Sequence, residues 1–183
     1  MRAQVLFFQK KHTAGFTLVE FMVVLAIAAI LFSMAVPSFR ALIRNMQVTT
    51  VVNDFFSALN LARSEAIKRG TRVTLATVKA DSGWEDGWVV FVHNNSTTVP
   101  DAGDEIIFER GPIHRGITIV PNLGGDPLKY ISYNGTGRTR TDDSGQTALL
   151  GHFAFIVDGV TVRQIIITFL GRPRVCTPAK KDC

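Results

Sequence analysis

The sequence contains few charged residues and few cysteines, and both facts limit the classes of protein to which it can belong. Only 19% of its 183 residues are charged whereas 46% are hydrophobic, a composition that excludes an intrinsically disordered chain. Two cysteines, Cys176 and Cys183, are too few for a disulfide scaffold and cannot alone fill a four-ligand structural zinc site. The length favours one domain of ordinary size, with enough chain left over for an appendage.

Motifs of enzyme catalysis are missing as well. The four histidines show no HExxH spacing, and the sequence has no CxxC pair. Ser144 does not lie in a GxSxG turn, and the NGTGR segment at 134–138 lacks the lysine of a phosphate-binding loop. We therefore expect no catalytic residues, no metal site and no cofactor.

The positive charge is concentrated at the two ends of the chain. A net charge of +5 and a pI of about 9.6 invite a nucleic-acid or membrane-surface interpretation. Residues 1–15 hold three cations and no acid, and without them 17 Lys and Arg remain against 15 Asp and Glu. Residues 80–109 contain seven acids and no Lys or Arg, whereas residues 163–183 contain five cations and one acid. The question is therefore what the basic C-terminal end contacts.

One long apolar run lies near the N-terminus. Residues 16–36 carry a single charge, Glu20, and the run matches the roughly 20 residues that a helix needs to span a bilayer. Two lysines precede it, Lys10 and Lys11. An ordinary secretory signal has its small residue and cleavage site after the apolar run, but here Gly15 comes before it.

This arrangement, KKHTAG followed by FTLVEFMVVLAIAAIL, resembles the class III signal of type IV pilins and type II secretion pseudopilins. The resemblance implies that a prepilin peptidase cleaves after Gly15 and methylates the new amino terminus at Phe16. It also implies a single-pass anchor in the bacterial inner membrane with a periplasmic C-terminal domain, and later a place in the pilus at the cell surface. The expected partners are other major and minor pilins.

Glu20 is the unusual residue of the anchor. A carboxylate in an apolar membrane segment costs roughly 2.5–3.5 kcal/mol and usually has a partner. The resemblance to pilins supplies one, the N-terminal amine of a neighbouring subunit, and so gives Glu20 a role in filament assembly. Pro37 stands where pilin anchors commonly carry a proline that kinks the helix.

The pattern of apolar residues predicts an α+β fold, a long N-terminal helix packed on antiparallel β-sheets. Helical spacing continues past the apolar run and predicts one helix over 17–69, which Gly70 ends. Beyond Gly70 the period changes to two, and Asp158-Gly159 is a hairpin signal. Strands are predicted at 72–78, 87–93, 105–109, 117–120, 130–133, 153–157 and 160–170.

Two further segments indicate the family more specifically. NLARSEAIKRG at 60–70 and GWEDGWVVFVHNN at 83–95 resemble the GspH/FimT family of minor pilins and pseudopilins, and we expect Trp84 and Trp88 to be core anchors. The implied organisation has five parts: a leader (1–15), a membrane and filament-core helix (16–37), an amphipathic helix (38–70), a β-sheet domain (71–170) and a basic tail (171–183).

The tail begins with the sequence GRPR at 171–174. Pro173 forbids a helix, and residues two apart in an extended chain project to the same side, so Arg172 and Arg174 are expected to point the same way. Two guanidinium groups on one face suit phosphate oxygens, and Lys180 and Lys181 add two cations.

The two cysteines of the tail could close a short loop. A disulfide between Cys176 and Cys183 would contribute roughly 2.5 kcal/mol on the chain-entropy estimate, and an oxidising periplasm permits it. Such a bond would stop the end of the chain from fraying.

GRPR also resembles the GRxR motif in the tail of the FimT-type minor pilins, which bind DNA in natural transformation. The resemblance implies that Arg172 and Arg174 contact DNA and that Gly171 admits a tight backbone. Arg138 and Arg140, again two apart, are further candidates, although the neighbouring acids Asp142 and Asp143 could neutralise them.

Both basic segments lack aromatic residues, which argues against base stacking on single strands. The expected partner is therefore double-stranded DNA, bound through its phosphates without regard to sequence. The alternative is a structural minor pilin or type II secretion pseudopilin that primes or caps filament assembly. In that case the tail is a solvated surface, or its arginines pair with acids of a neighbouring pilin.

Overall fold

The fold is described by a computed structural model, which places residues 15, 17–92, 98–124, 130–141, 147–180 and 183. Two compact units divide the chain after Arg44. A single helix, α1, spans Leu18–Arg69, as the apolar periodicity predicts. The prediction of an α+β fold is confirmed, because antiparallel strands follow this helix.

The two parts of α1 have different surfaces. Up to Arg44 its large apolar side chains are exposed, and α1 is long and apolar enough to cross a membrane. From residue 45 onward most apolar side chains recur every three or four residues and are buried, while Met46 and Ile67 are exposed, which is the pattern of a helix packed along one face. The buried set is Val48, Val51, Val52, Phe55, Ala58, Leu59, Ala62 and Ala66.

The start of α1 gives Glu20 a local partner. One carboxylate oxygen, Oε2, accepts hydrogen bonds from the backbone N–H and the hydroxyl of Thr17, both at 2.9 Å. The N–H of Glu20 donates in return to Thr17 Oγ1 at 3.2 Å. This reciprocal pair is a capping box, so Glu20 closes the first turn of its own helix, a role that the TLVE sequence indicates but that we did not predict.

Within the described residues, nine strands form two antiparallel sheets. Sheet one has the order β3-β2-β1-β5-β6 and sheet two the order β4-β7-β8-β9. The strands are β1 (Val73–Thr77), β2 (Trp88–Val92), β3 (Glu105–Arg110), β4 (Ile117–Asn122), β5 (Tyr130–Tyr133), β6 (Thr139–Arg140), β7 (Gly151–Val157), β8 (Val160–Ile167) and β9 (Pro173–Cys176).

All seven predicted strands form, and the Asp158-Gly159 hairpin joins β7 to β8. Two corrections concern the functional segments. The predicted end of the last strand, residue 170, was wrong: the strand ends at Ile167, and the chain then turns. The segment around Arg140 and the tail, for which we predicted no strand, each contribute one, since β6 pairs with β5 and β9 pairs with β8.

The core lies between α1 and the inner faces of both sheets. Phe55 stands at its centre, with ring centroids 5.2 Å from Trp84, 5.0 Å from Trp88 and 4.8 Å from Phe153. Both tryptophans are buried, which confirms that they are core anchors. The edge-on geometry of Phe55 against the two tryptophan rings adds to the apolar burial that holds helix and sheets together.

Two ion pairs attach α1 to β3. Arg110 Nη2 lies 2.9 Å from Asp54 Oδ2, and Arg69 Nη1 lies 2.7 Å from Glu105 Oε2. Arg69 also contacts Glu65, with Nε 2.7 Å from Oε2. The hydrogen bonds from Arg69 hold the pKa of both Glu65 and Glu105 below the ordinary value of 4.5, and Lys68 adds to the effect at Glu65.

These lowered carboxyl pKa values predict that the stabilisation which Arg69 provides is lost on acidification. Because each carboxylate is stabilised in the folded state, its contribution is present above the ordinary glutamate pKa and is lost as the pH falls through the lowered one. We expect acidification from about pH 6 to about pH 3 to reduce the denaturant midpoint less in Arg69→Ala than in the unmodified protein. Equal reductions would show that the ion pairs do not contribute.

Candidate nucleic-acid interface

A tight turn separates β8 from β9 and carries the start of the basic tail. The N–H of Gly171 donates to the carbonyl of Thr168 at 2.8 Å, and the N–H of Thr168 donates to the carbonyl of Arg172 at 3.2 Å. The N–H of Arg172 also donates to Thr168 Oγ1 at 3.2 Å. The GRPR segment is therefore held at the edge of sheet two by hydrogen bonds of its backbone.

Gly171 brings this turn against the β5–β6 hairpin. Its φ is +73°, in the left-handed region that favours glycine. A Cβ at this position would lie 2.5 Å from the carbonyl oxygen of Gly137 and 3.1 Å from the Cα of Arg138. The close approach joins the two basic segments, which are far apart in sequence, into one surface.

The hairpin that Gly171 contacts is itself well ordered by hydrogen bonds. Asn134 Oδ1 accepts from the N–H groups of Thr136 and Arg138, each at 3.1 Å. The carbonyl of Gly137 accepts from Arg63 Nε of α1 at 2.9 Å. Helix, hairpin and tail turn thus meet at Gly137, and Arg138 extends from this junction as an exposed side chain.

Arg172 and Arg174 border one shallow cavity of about 530 Å³, and both are exposed. Arg174 pairs across the strands with Ile166. The neighbours Ile165 and Ile167 are buried in the core, so Arg174 lies on the outer face of sheet two. Pro173 is the first residue of β9 and pairs with Ile167, a position where a strand tolerates proline.

The far end of the tail is closed by a disulfide. Cys176 and Cys183 are bonded with their Cα atoms 5.4 Å apart, as the sequence suggested. Cys176 is buried and belongs to β9, so the bond ties the last residue to the sheet. Lys180 lies within this closed loop, in a short 3₁₀ helix, and is exposed.

The other predicted site residues are less directly placed. Arg140 is half-buried, and its Nη1 donates to the carbonyl of Thr139 at 2.8 Å, so the guanidinium folds back on its own chain. Gly15 is exposed. Several residues named in our predictions lie outside the described part of the chain, namely Lys10, Lys11, Phe16, Asp142, Asp143, Ser144 and Lys181, and so do residues 1–14 of the predicted leader.

Phe169 is the residue that sequence reasoning missed. It was assigned to a continuing strand, but it lies in the turn after Thr168 and is 58% exposed. The guanidinium carbon of Arg138 lies 5.8 Å from its ring centroid, within the range of a cation–π contact. The two basic segments lack aromatic residues, as their sequences show, but the fold brings Phe169, which lies outside both segments, against Arg138. Gly171 followed by Pro173 is the turn signal that could have revealed it.

Comparison with known families gives two matches. Residues 51–171 match the family described as "Type II transport protein GspH". Residues 10–36 match the "Prokaryotic N-terminal methylation motif", which covers Gly15, Phe16 and Glu20. Two curated relatives, each described as "Fimbrial protein" from Pseudomonas aeruginosa, are 35% identical over 78 residues, or 43% of this chain. The chain spans half the length of these relatives.

The fold is similar to that of solved minor pilins. Two crystal structures of the type IV minor pilin FimU from Pseudomonas aeruginosa superpose with TM-scores of 0.55 and 0.58, at 17% and 14% sequence identity. They cover 72% and 74% of this chain and 94% and 92% of their own. A likeness at this level of identity concerns the fold, a long helix packed on antiparallel sheets.

Proposed function

The chain belongs to the GspH family, and we propose that it is a minor pilin of a type IV pilus that binds extracellular double-stranded DNA for uptake in natural transformation. The methylation motif and the apolar helix support processing by prepilin peptidase, anchoring in the inner membrane and assembly with other pilins. The DNA contacts are phosphate contacts from the basic tail.

The observation that carries the proposal is the joining of the two basic segments. Arg172 and Arg174 border one cavity, and the backbone of Arg138 lies next to Gly171. Each of these three exposed arginines can bind phosphate oxygens. Lys180 and Lys181 would extend this surface, whereas Arg140, folded back on its own chain, would contribute less.

We propose that binding is weak and independent of sequence. Two to four phosphate contacts on one domain give an affinity in the range of non-specific binding, roughly micromolar or weaker. Several subunits or pili on one DNA molecule would raise the effective affinity through avidity. Phosphate contacts position a protein on a duplex but carry no sequence information.

A second candidate is a structural minor pilin or type II secretion pseudopilin. The family description and the fold likeness to FimU favour it as much as they favour the first. In that function the soluble domain contacts neighbouring subunits, and the arginines of the tail pair with acids there. The two candidates differ in whether the isolated protein binds DNA.

Removing the tail arginines tests the first candidate. We expect Arg172→Ala/Arg174→Ala to weaken duplex binding about tenfold or more, because a hydrogen bond to a charged group is worth roughly 1.5–3 kcal/mol. The measurement is fluorescence anisotropy of two duplexes of unrelated sequence, titrated at low salt with the full chain in non-ionic detergent micelles.

The matched control is Lys79→Ala/Arg115→Ala, which removes the same charge from exposed residues outside the tail and the hairpin. It should bind both duplexes nearly as well as the unmodified chain. Failure of the unmodified chain to bind, or equal losses in the two double variants, would favour the structural candidate.

A further inference from the structure

The cavity beside the tail is mostly apolar and is bordered by two arginines. Phe169, Leu170 and Pro173 line it, and Arg172 and Arg174 border it. Its volume of about 530 Å³ falls in the roughly 300–1,000 Å³ range of small-molecule sites. A flat apolar group that carries an anion therefore fits the chemistry of this cavity.

Phe169 lies on the surface of the protein, where it can contact a ligand, and does not belong to the core. Its side chain is 58% exposed, and the turn that carries it is closed by backbone bonds and by the hydroxyl of Thr168. The aromatic ring is therefore not needed to hold the turn. The guanidinium carbon of Arg138 lies over the same ring, 5.8 Å from its centroid, and adds a further cation beside Phe169.

We propose that this cavity binds an unpaired nucleotide, with the base stacked on Phe169 and its phosphate held by Arg172 and Arg174. Every base presents an aromatic face, and stacking on an aromatic side chain tolerates any sequence. Bases inside a duplex already stack on their neighbours, so the cavity takes nucleotides from single strands, overhangs or frayed ends. This inference rests on the proposed function and names the part of the DNA that the basic surface prefers.

The test compares two oligomers that differ only in their bases. One is oligothymidine of about 12 nucleotides, within the roughly 4–16 nucleotide site sizes of single-strand binders, and the other is an abasic oligomer of equal length and charge. Binding to the full chain in non-ionic detergent micelles is measured by fluorescence anisotropy. We expect the thymidine oligomer to bind about 5- to 150-fold more tightly, the range for one stacked base.

Variants of Phe169 identify the stacking surface. Phe169→Ala should remove the preference for the thymidine oligomer and leave the affinity for the abasic oligomer within about twofold, whereas Phe169→Tyr should keep the preference. Denaturant unfolding followed by tryptophan fluorescence checks that both variants fold.

The outcomes separate this inference from the proposed function. Equal binding of the two oligomers, with loss of both in Arg172→Ala/Arg174→Ala, overturns the stacking site and leaves phosphate binding intact. A thymidine preference that survives in Phe169→Ala also overturns it. Failure of both oligomers and of duplex DNA to bind overturns both proposals.

Discussion

Phe55→Ala should lower the free energy of unfolding of the unit formed by residues 45–183 by about 3–5 kcal/mol. Phe55 is completely buried, and its ring meets Trp84, Trp88, Phe153 and Phe155. Truncation removes its own apolar burial and leaves a cavity among four rings that cannot all move inward. A loss of this size is a large part of the 5–15 kcal/mol that stabilises a typical domain.

Tryptophan fluorescence during denaturant unfolding measures this effect directly, because the only two tryptophans of the chain both touch Phe55. Phe169→Ala is the control, since it removes an equal side chain from an exposed position. It should change the unfolding free energy by less than about 0.5 kcal/mol. Similar losses in the two variants would mean that helix and sheets are not held together through Phe55.

Gly171→Ala should weaken duplex binding about tenfold, which corresponds to 1.4 kcal/mol, although it removes no charge. The left-handed backbone at Gly171 costs an alanine about 1–2 kcal/mol. The added Cβ would also stand 2.5 Å from the carbonyl oxygen of Gly137, and a backbone atom cannot move aside as a side-chain tip can. The turn and the β5–β6 hairpin must then separate, which moves Arg172 away from Arg138.

Gly159→Ala is the matched control for this substitution. Gly159 has a φ of +77°, and a Cβ there would meet no atom within 4 Å. It therefore suffers the same backbone strain without the close contact, and it lies in the β7–β8 hairpin. We expect backbone strain to lower the unfolding free energy of Gly159→Ala to a comparable extent, but we expect its duplex affinity to be unchanged. Equal losses of affinity in the two variants would contradict the importance of the junction at Gly137.

Most of the fold could be predicted because its signals are local. The helix shows in the spacing of apolar residues, and its end shows in Gly70 after two cations. The long strands show in their alternation. The strands that were missed, β6 and β9, are only two and four residues long. They exist because they pair with β5 and β8. β6 is too short to show an alternation, and β9 begins with Pro173, a residue type that is depleted in strands.

The charged residues of the candidate site could be proposed from sequence, but their arrangement could not. Spacing suggested that Arg172 and Arg174 share a side, and each basic segment was recognised separately. Their junction depends on one backbone contact between Gly171 and Gly137, residues far apart in the chain. The turn after Ile167 exposes Phe169. The sequence predicted a strand that continues to residue 170, and Phe169 was therefore not considered with the tail.

The salt dependence of duplex binding tests the central claim most directly. The logarithm of the association constant should fall with the logarithm of salt concentration by about 0.9 for each phosphate contacted. For the full chain in non-ionic detergent we expect a slope of about −2 to −4, and for Arg172→Ala/Arg174→Ala a slope shallower by roughly two. Identical slopes for the two proteins, or no binding at low salt, would contradict phosphate recognition by the tail.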